Sequence, residues 1–264
     1  MPISSKVMAL DEAMCHVESG MRIMVGEFVG VGEPLKCIDW LIAHDIRELT
    51  LITITPGFAG GGFGMSQLFE RGAVRELIAS HVGTTPESTQ QYLDGEMLVK
   101  QIFPMGTWAE KVRAGGHGLG GVLVPVGVGI LDADNLFTEL EENKQKITLG
   151  GRDYLVEEAL CADVSLIKGW RADEIGNVEF RFTSRQNQQD LAMAGDFTIA
   201  EVNEIVPVGS IPPEAVGCPA PFVDAVVQGH SLERQHAIYK AKWLEVGKLQ
   251  PPAAPEAPDR ASGE

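Results

Sequence analysis

Short apolar runs alternate with stretches of helical periodicity through the first half of the chain, and that alternation predicts βαβ units and a largely parallel sheet. Asp11 to Ser19 reads as a helix, Arg22 to Val25 as a strand, and Pro34 to His44 as a helix with Leu35, Ile38, Leu41 and Ile42 on one face. Leu49 to Ile54 follows as a strand, then a glycine-rich turn from Gly57 to Gly64 and a helix over Ser66 to Arg71. Val74 to Ser80 is again strand-like, Glu87 to Asp94 helical, Leu98 to Phe103 extended, Thr107 to Ala114 helical and Gly121 to Val124 extended.

After Gly127 the pattern changes. The segment ITLGGRDYLVEEAL, with its Gly150-Gly151 turn between apolar runs, predicts a small β-hairpin inserted between the main layers. Asp163 to Lys168 resumes as a core strand, Asn187 to Ala194 as a helix and Phe197 to Val206 as a strand. Ser231 to Leu249 reads as one amphipathic helix, apolar at Leu232, Ile238, Trp243, Leu244 and Val246 among others, which packs on the body or on a partner. The expected organisation is a single α/β domain over residues 1–249 with a tail at 250–264. That tail is rich in Pro, Ala and acid, has little to bury, and is expected to be disordered.

Composition places the chain among ordinary globular proteins, since 264 residues with 44% hydrophobic and 22% charged content can bury a full core. Lys and Arg number 21 against 37 Asp and Glu, a net charge of −16 that repels nucleic acid and anionic membrane surfaces. A small anionic ligand would need a local pocket that is positive or rich in N–H groups. Neither a signal sequence nor a transit peptide is legible at the start. Gly118 to Leu131 is too short, too glycine-rich and too broken by Pro125 to read as a membrane span. A cytoplasmic protein is expected, and Cys15, Cys37, Cys161 and Cys218, widely spaced, read as small buried hydrophobes.

The candidate chemistry lies in glycine-rich loops at Gly26–Gly32, Gly57–Gly64, Gly115–Gly121 and Gly127 with Gly129. Four such loops after successive elements suggest one cleft at the carboxyl edge of a parallel sheet. GHGLGG at 116–121 matches G-x-G-x-x-G but follows a helix pattern, so it is no dinucleotide fingerprint, and no P-loop or G-x-S-x-G elbow occurs. The six histidines form no ligand spacing, and no metal site is expected. His117 either reaches the cleft or faces solvent from its loop.

SGMRIMVGEFVGVGEP, LTLI with its glycine turn, RELIASHVGTTPESTQQYLDGEM, PMGTWAEKVRAGGHGLGG, VPVGVG and ADVSLIKGWRADEIGNVEFR occur in that order. In this succession, from about Lys6 to Gln228, the chain resembles the α subunit of family I coenzyme A (CoA) transferases, in particular the acetate/acetoacetate and 3-oxoacid group. The resemblance implies an open α/β fold with flanking helices, paired with a β subunit of the same fold. It further implies that acyl-CoA and a carboxylic acid are substrates, that no cofactor is held permanently, and that the active site lies between the subunits. The nucleophilic glutamate would come from a Ser-Glu-Asn-Gly motif of the β subunit, which is missing from this sequence, so this chain alone should be inactive.

The same resemblance places the CoA-contacting loop on Gly26, Glu27, Phe28, Val29, Gly30, Val31 and Gly32, with Pro34 closing the signature. Glu27 stands where the family has a second glycine. Its carboxylate is expected either to point outward, tolerated by the loop, or to act as an auxiliary acid that steers an acyl-enzyme toward water, and the outward reading is preferred. Further departures mark a candidate substrate pocket: Ile54 and Thr55 replace paired asparagines, Met105 before Gly106 replaces a glutamine, and Val124 and Val126 replace threonines. These exchanges suggest an apolar wall suited to a bulkier acyl group. A thioester hydrolase or ring-opening enzyme on the same scaffold is the alternative activity. A sugar-phosphate-sensing regulator finds no helix-turn-helix or basic face in its support.

Overall fold

The computed structural model describes residues 4–132 and 144–250. Except for Gln250, the tail expected to be disordered lies outside them.

Sequence order runs α1 (Leu10–Met14), β1 (Arg22–Val25), α2 (Leu35–Ala43), β2 (Leu49–Ile52), α3 (Ser66–Glu70), β3 (Val74–Ala79), α4 (Pro86–Leu93), β4 (Leu98–Ile102), α5 (Met105–Gly116) and β5 (Gly121–Val124). It continues through β6 (Lys146–Leu149), β7 (Arg152–Glu158), β8 (Ala162–Asp173), β9 (Val178–Glu179), α6 (Gln188–Ala194), β10 (Gly195–Val206), β11 (Ala225–Gln228) and α7 (Leu232–Glu245). The main sheet has the order β11-β10-β8-β1-β2-β3-β4, with β9 paired to β8. Every pairing along that order is parallel, whereas β9 runs antiparallel to β8.

Strands of such a sheet are covered on both faces and read as largely apolar runs, and LTLI in β2 is accordingly buried at all four positions. Successive side chains then enter opposite layers. Ile23, Val25, Leu51 and Leu77 pack with Ile38, Leu41, Leu68 and Phe69 on one face. Met24, Ile52, Ile78 and Ile167 pack with Trp108, Val112 and Leu191 on the other.

Three expectations are corrected. Gly121–Val124 does not extend the main sheet; it pairs antiparallel with β7, which pairs with β6, so the expected hairpin becomes a separate three-stranded sheet. The first helix stops at Met14, where the chain turns so that Val17 reaches the core, 3% exposed, instead of running on to Ser19. Cys37 and Cys218 are buried as expected, but Cys15 and Cys161 are exposed.

The connectivity fixes where a ligand could sit. From β1 the chain winds outward through β2, β3 and β4, then returns to lay β8, β10 and β11 on the opposite side of β1. The switch point therefore falls between β1 and β8, and the crevice beyond their carboxyl ends is the place where such sheets bind small molecules. β1 ends level with Leu166 of β8, yet β8 and β10 remain paired as far as Asp173 and Val206, so their second halves overhang that crevice.

Candidate functional site

The loop after β1 is a tight hairpin in this crevice. Phe28 and Val31 exchange backbone hydrogen bonds of 2.9 and 3.0 Å, with Val29 at φ 52° and Gly30 at φ 82° between them. Two consecutive left-handed residues suit glycine or asparagine, and a β-branched valine there is strained by about 1–3 kcal/mol. The surroundings hold that conformation in place. The Val29 N–H donates to Thr55 Oγ1 at 3.0 Å, and the Gly30 N–H donates to Glu27 Oε2 at 2.9 Å. On the other side, the Gln186 and Gln188 side-chain amides donate to the carbonyls of Val31 and Gly32. Gly26 has no room for a side chain, because a Cβ would stand 2.0 Å from Gln188 Oε1.

Glu27 therefore does not point outward. It is 0% exposed, and its carboxylate accepts from the Thr55 N–H (2.8 Å), Thr53 Oγ1 (2.9 Å) and Thr55 Oγ1 as well as from Gly30. The reason is geometric: β2 ends beside β1, and Thr53 and Thr55, which follow β2, supply donors that make burial of this acid tolerable. Both oxygens are occupied, so the auxiliary-acid role loses its free lone pairs as well. The N–H groups from Phe28 to Val31 are all spent inside the protein, and the half-exposed Phe28 ring stands at the tip.

A second buried acid, Glu33, lies beyond the hairpin and was not singled out from the sequence. It is 0% exposed, and the Met65 N–H, at 3.2 Å, donates to its Oε2. Burial raises the pKa of both acids, but the several donors around Glu27 pull its value back, whereas Glu33 is raised well above the usual range by burial and by the neighbouring Glu27. The proton of the pair belongs on Glu33 and the charge on Glu27. A carboxyl whose pKa is raised on folding adds stability that is fully present below its unfolded value and is lost as pH rises toward its folded value. Glu33→Gln mimics the protonated form, so its advantage over the parent protein should widen as pH rises from about 5 to 8. Thermal melts of the two proteins across that range would expose the idea as wrong if their difference stayed constant.

The remaining wall comes from α7 and the second glycine loop. Tyr239 Oη donates to the Gly30 carbonyl at 2.6 Å, while Phe58 packs edge-on against Phe63 and Trp243 with ring centroids 5.4 and 4.6 Å apart. The amphipathic helix read from the sequence thus packs on the body, strapping both glycine loops together. A cavity of about 220 Å³ remains between the hairpin, the overhanging β8 and β10, the turn at Phe182–Arg185 and α7, with Lys168, Trp170, Arg181 and Tyr239 among its lining.

The other expected site residues scatter. Ile54 is buried in the core with Met24 and Trp108, and Thr55 spends its hydroxyl on Glu27. Val124 is buried in the small sheet, whereas Met105, Gly106 and Val126 are exposed. They do not form one continuous apolar wall within this chain. Nor do the four glycine loops converge: Gly26–Gly32 and Gly57–Gly64 share the carboxyl edge, but Gly115 packs on the Leu160 carbonyl just before β8 begins, at the amino edge. His117 caps α5 at that far end, exposed, with its Nδ1 2.8 Å from the Arg113 carbonyl oxygen. Among the described residues no cluster of metal-ligating side chains occurs, and no helix is long and apolar enough to cross a membrane.

An α/β sheet wound both ways from β1, with a braced hairpin and a cation-lined cavity at the switch point, has the architecture of a protein that handles small anionic ligands. The chain belongs to the coenzyme A transferase family, which its residues 7–229 match. It is 38% identical over 225 residues to the acetate CoA-transferase subunit alpha of Escherichia coli strain K12, covering 85% of this chain and 97% of that one. To a probable coenzyme A transferase subunit alpha of Bacillus subtilis strain 168 it is 39% identical over 228 residues, covering 86% and 95%. An acyl-CoA transferase apoenzyme from Escherichia coli O157:H7 has the same fold, with a TM-score of 0.72 at 21% identity over 86% of this chain and 47% of that one.

Proposed function

We propose that this chain is the α subunit of a heteromeric CoA transferase that moves CoA from an acyl-CoA to a short- or medium-chain carboxylic acid or 3-oxoacid. The observation that carries the reading is the near full-length correspondence with a curated α subunit, 97% of which is matched. A glutamate of the partner attacks the thioester carbonyl, expelling CoA thiolate and leaving an acyl–glutamyl anhydride. The thiolate then attacks the glutamyl carbonyl, releasing the donor acid and leaving a glutamyl-CoA thioester, and the acceptor acid runs the sequence backwards.

This chain's part is to shape one wall of the crevice. The hairpin at Gly26–Gly32, including Phe28 and Val29 at its tip, meets the thioester end of CoA, and a rigid loop performs that task without reorganising during reaction. Met105, Gly106 and Val126, all exposed, are available to complete the acyl site with the β subunit. The hydrolase or ring-opening alternative rests on Glu27 as a free acid and on the lost polar residues, and the filled hydrogen-bonding sphere of the Glu27 carboxylate weakens the first of these.

The test is reconstitution with the β subunit. Acyl-CoA plus an acceptor acid should yield the new acyl-CoA, and this chain by itself should turn over nothing. Free CoA accumulating without acceptor would favour hydrolysis instead, and turnover by the isolated chain would refute the division of labour.

A further inference from the structure

We propose that the cavity between the Gly26–Gly32 hairpin, the overhang of β8 and β10, and α7 binds a small planar organic acid, its carboxylate on Lys168 and Arg181 and its ring on the aromatic wall. The inference stands apart from the transferase reading, because it is read as binding and needs no turnover.

Charge is the first argument. The chain carries a net charge of −16, yet this cavity is lined by Lys168, Arg181 and His236 and by no Asp or Glu. Lys168 is 2% exposed and uses one of its three N–H donors, on the Gly169 carbonyl at 2.6 Å. A buried ammonium with spare donors is costly unless an acceptor completes its shell. Burial accordingly lowers the Lys168 pKa to about 8. The charged and titratable groups that interact with it are Glu201 on β10, Cys37 on α2 and His230 just after β11. Glu201 is adjacent in register and its charge partly offsets the effect of burial; its Oε2 accepts from the Lys36 and Cys37 N–H groups at 2.8 and 3.1 Å, and it forms no hydrogen bond with the Lys168 ammonium, whose two remaining donors stay available to an occupant of the cavity.

Arg181 supplies the second cation. Its guanidinium stacks 4.7 Å from the ring centroids of both Trp170 and Phe182, and among the described residues it has no carboxylate partner, whereas neighbouring Arg171 is paired with Glu179. A guanidinium held over aromatic rings without a carboxylate partner keeps N–H donors available for a carboxylate.

Shape supplies the rest. Trp170, Phe182, Tyr239 and Trp243 give the cavity flat apolar surfaces, and Asn203 and Gln235 add amides. Its volume of about 220 Å³ is below the range of about 300–1,000 Å³ for drug-sized ligands, which selects a small molecule. The wall formed by α7 lies beyond residue 229, where the family match ends, so the cavity depends on a segment outside the shared region. Tyr239 belongs to this wall and also bonds the Gly30 carbonyl, so an occupant would touch the helix that ties down the hairpin.

Two of the four tryptophans, Trp170 and Trp243, line the cavity, so benzoate titrated into the full-length chain should saturate a change in tryptophan emission. Benzamide, equal in shape but neutral, should bind at least ~10-fold more weakly, and Arg181→Gln or Lys168→Met should each cost benzoate at least ~10-fold. Arg181 is half-exposed, so Arg181→Gln should fold even if Lys168→Met does not, and circular dichroism checks both. Equal affinity for benzoate and benzamide, or unchanged benzoate affinity in Arg181→Gln, would overturn the proposal. So would inorganic phosphate competing as well as benzoate, which would mean a bare anion hole, or adenosine 3′,5′-bisphosphate displacing benzoate at far lower concentration, which would make the cavity a nucleotide site.

Discussion

Replacing Glu27 by alanine should lower stability by about 3–5 kcal/mol, because it removes the acceptor of a fully buried cluster and leaves its donors facing a void. The stranded groups are the Gly30 and Thr55 N–H groups and the Thr53 and Thr55 hydroxyls. For a chain of this size each kcal/mol corresponds to about 2–4 °C in melting temperature, so a drop on the order of 10 °C is expected. Glu27→Gln keeps the shape and one acceptor oxygen but turns an NH2 toward a donor, and should lose less, about 1–3 kcal/mol. Glycine, the residue found here in the resembled family, would add backbone freedom to the same loss and weaken acyl-CoA binding. Differential scanning calorimetry decides the matter: a melting temperature within about 2 °C of the parent for Glu27→Ala would mean the cluster contributes little.

The second large effect should come from Gly30→Ala. Gly30 has φ +82°, and a Cβ there would stand 2.8 Å from the Phe58 Cα, which is backbone and cannot swing aside. The hairpin must then move off Phe58, shifting Val29 and Phe28 with it. In the complex with the β subunit, a shift near 1 Å in a positioning loop is expected to reduce kcat/KM by about 100-fold. The fold should survive, because the strained segment is a short turn whose Phe28 side reaches the surface and not a core strand. A kcat/KM within twofold of the parent, in protein of normal melting temperature, would mean the hairpin does not position the thioester.

The first effect traces to a residue whose role differs from the one its sequence position suggests, whereas Gly30 acts in the glycine loop where the sequence placed it. Glu27 lies in a glycine-rich loop, where a charged side chain ordinarily turns to solvent. Its burial depends on Thr53 and Thr55, twenty-six and twenty-eight residues away, being brought beside it when β2 pairs with β1. Lys168 and Glu201 did leave a trace in the sequence, as lone charges within the apolar runs VSLIKGW and FTIAEV. Glu33, Gln186 and Gln188 left none, since polar residues next to a loop are unremarkable until the loop folds against them.

The order of strands and helices, the parallel character of the sheet and the glycine-rich loop after β1 were legible in the chain, because local periodicity and turn chemistry act over a few residues at a time, and the family was legible through the resemblance of its motifs in their order. Which strands became neighbours was a tertiary outcome. The return of β8 and β10 to the far side of β1 created the switch-point crevice, and β5 left the main sheet to join β7. Whether a carboxylate is buried or exposed, charged or protonated, depends on donors contributed by distant segments. No window of sequence contains those segments together, and only the folded chain brings them within hydrogen-bonding reach.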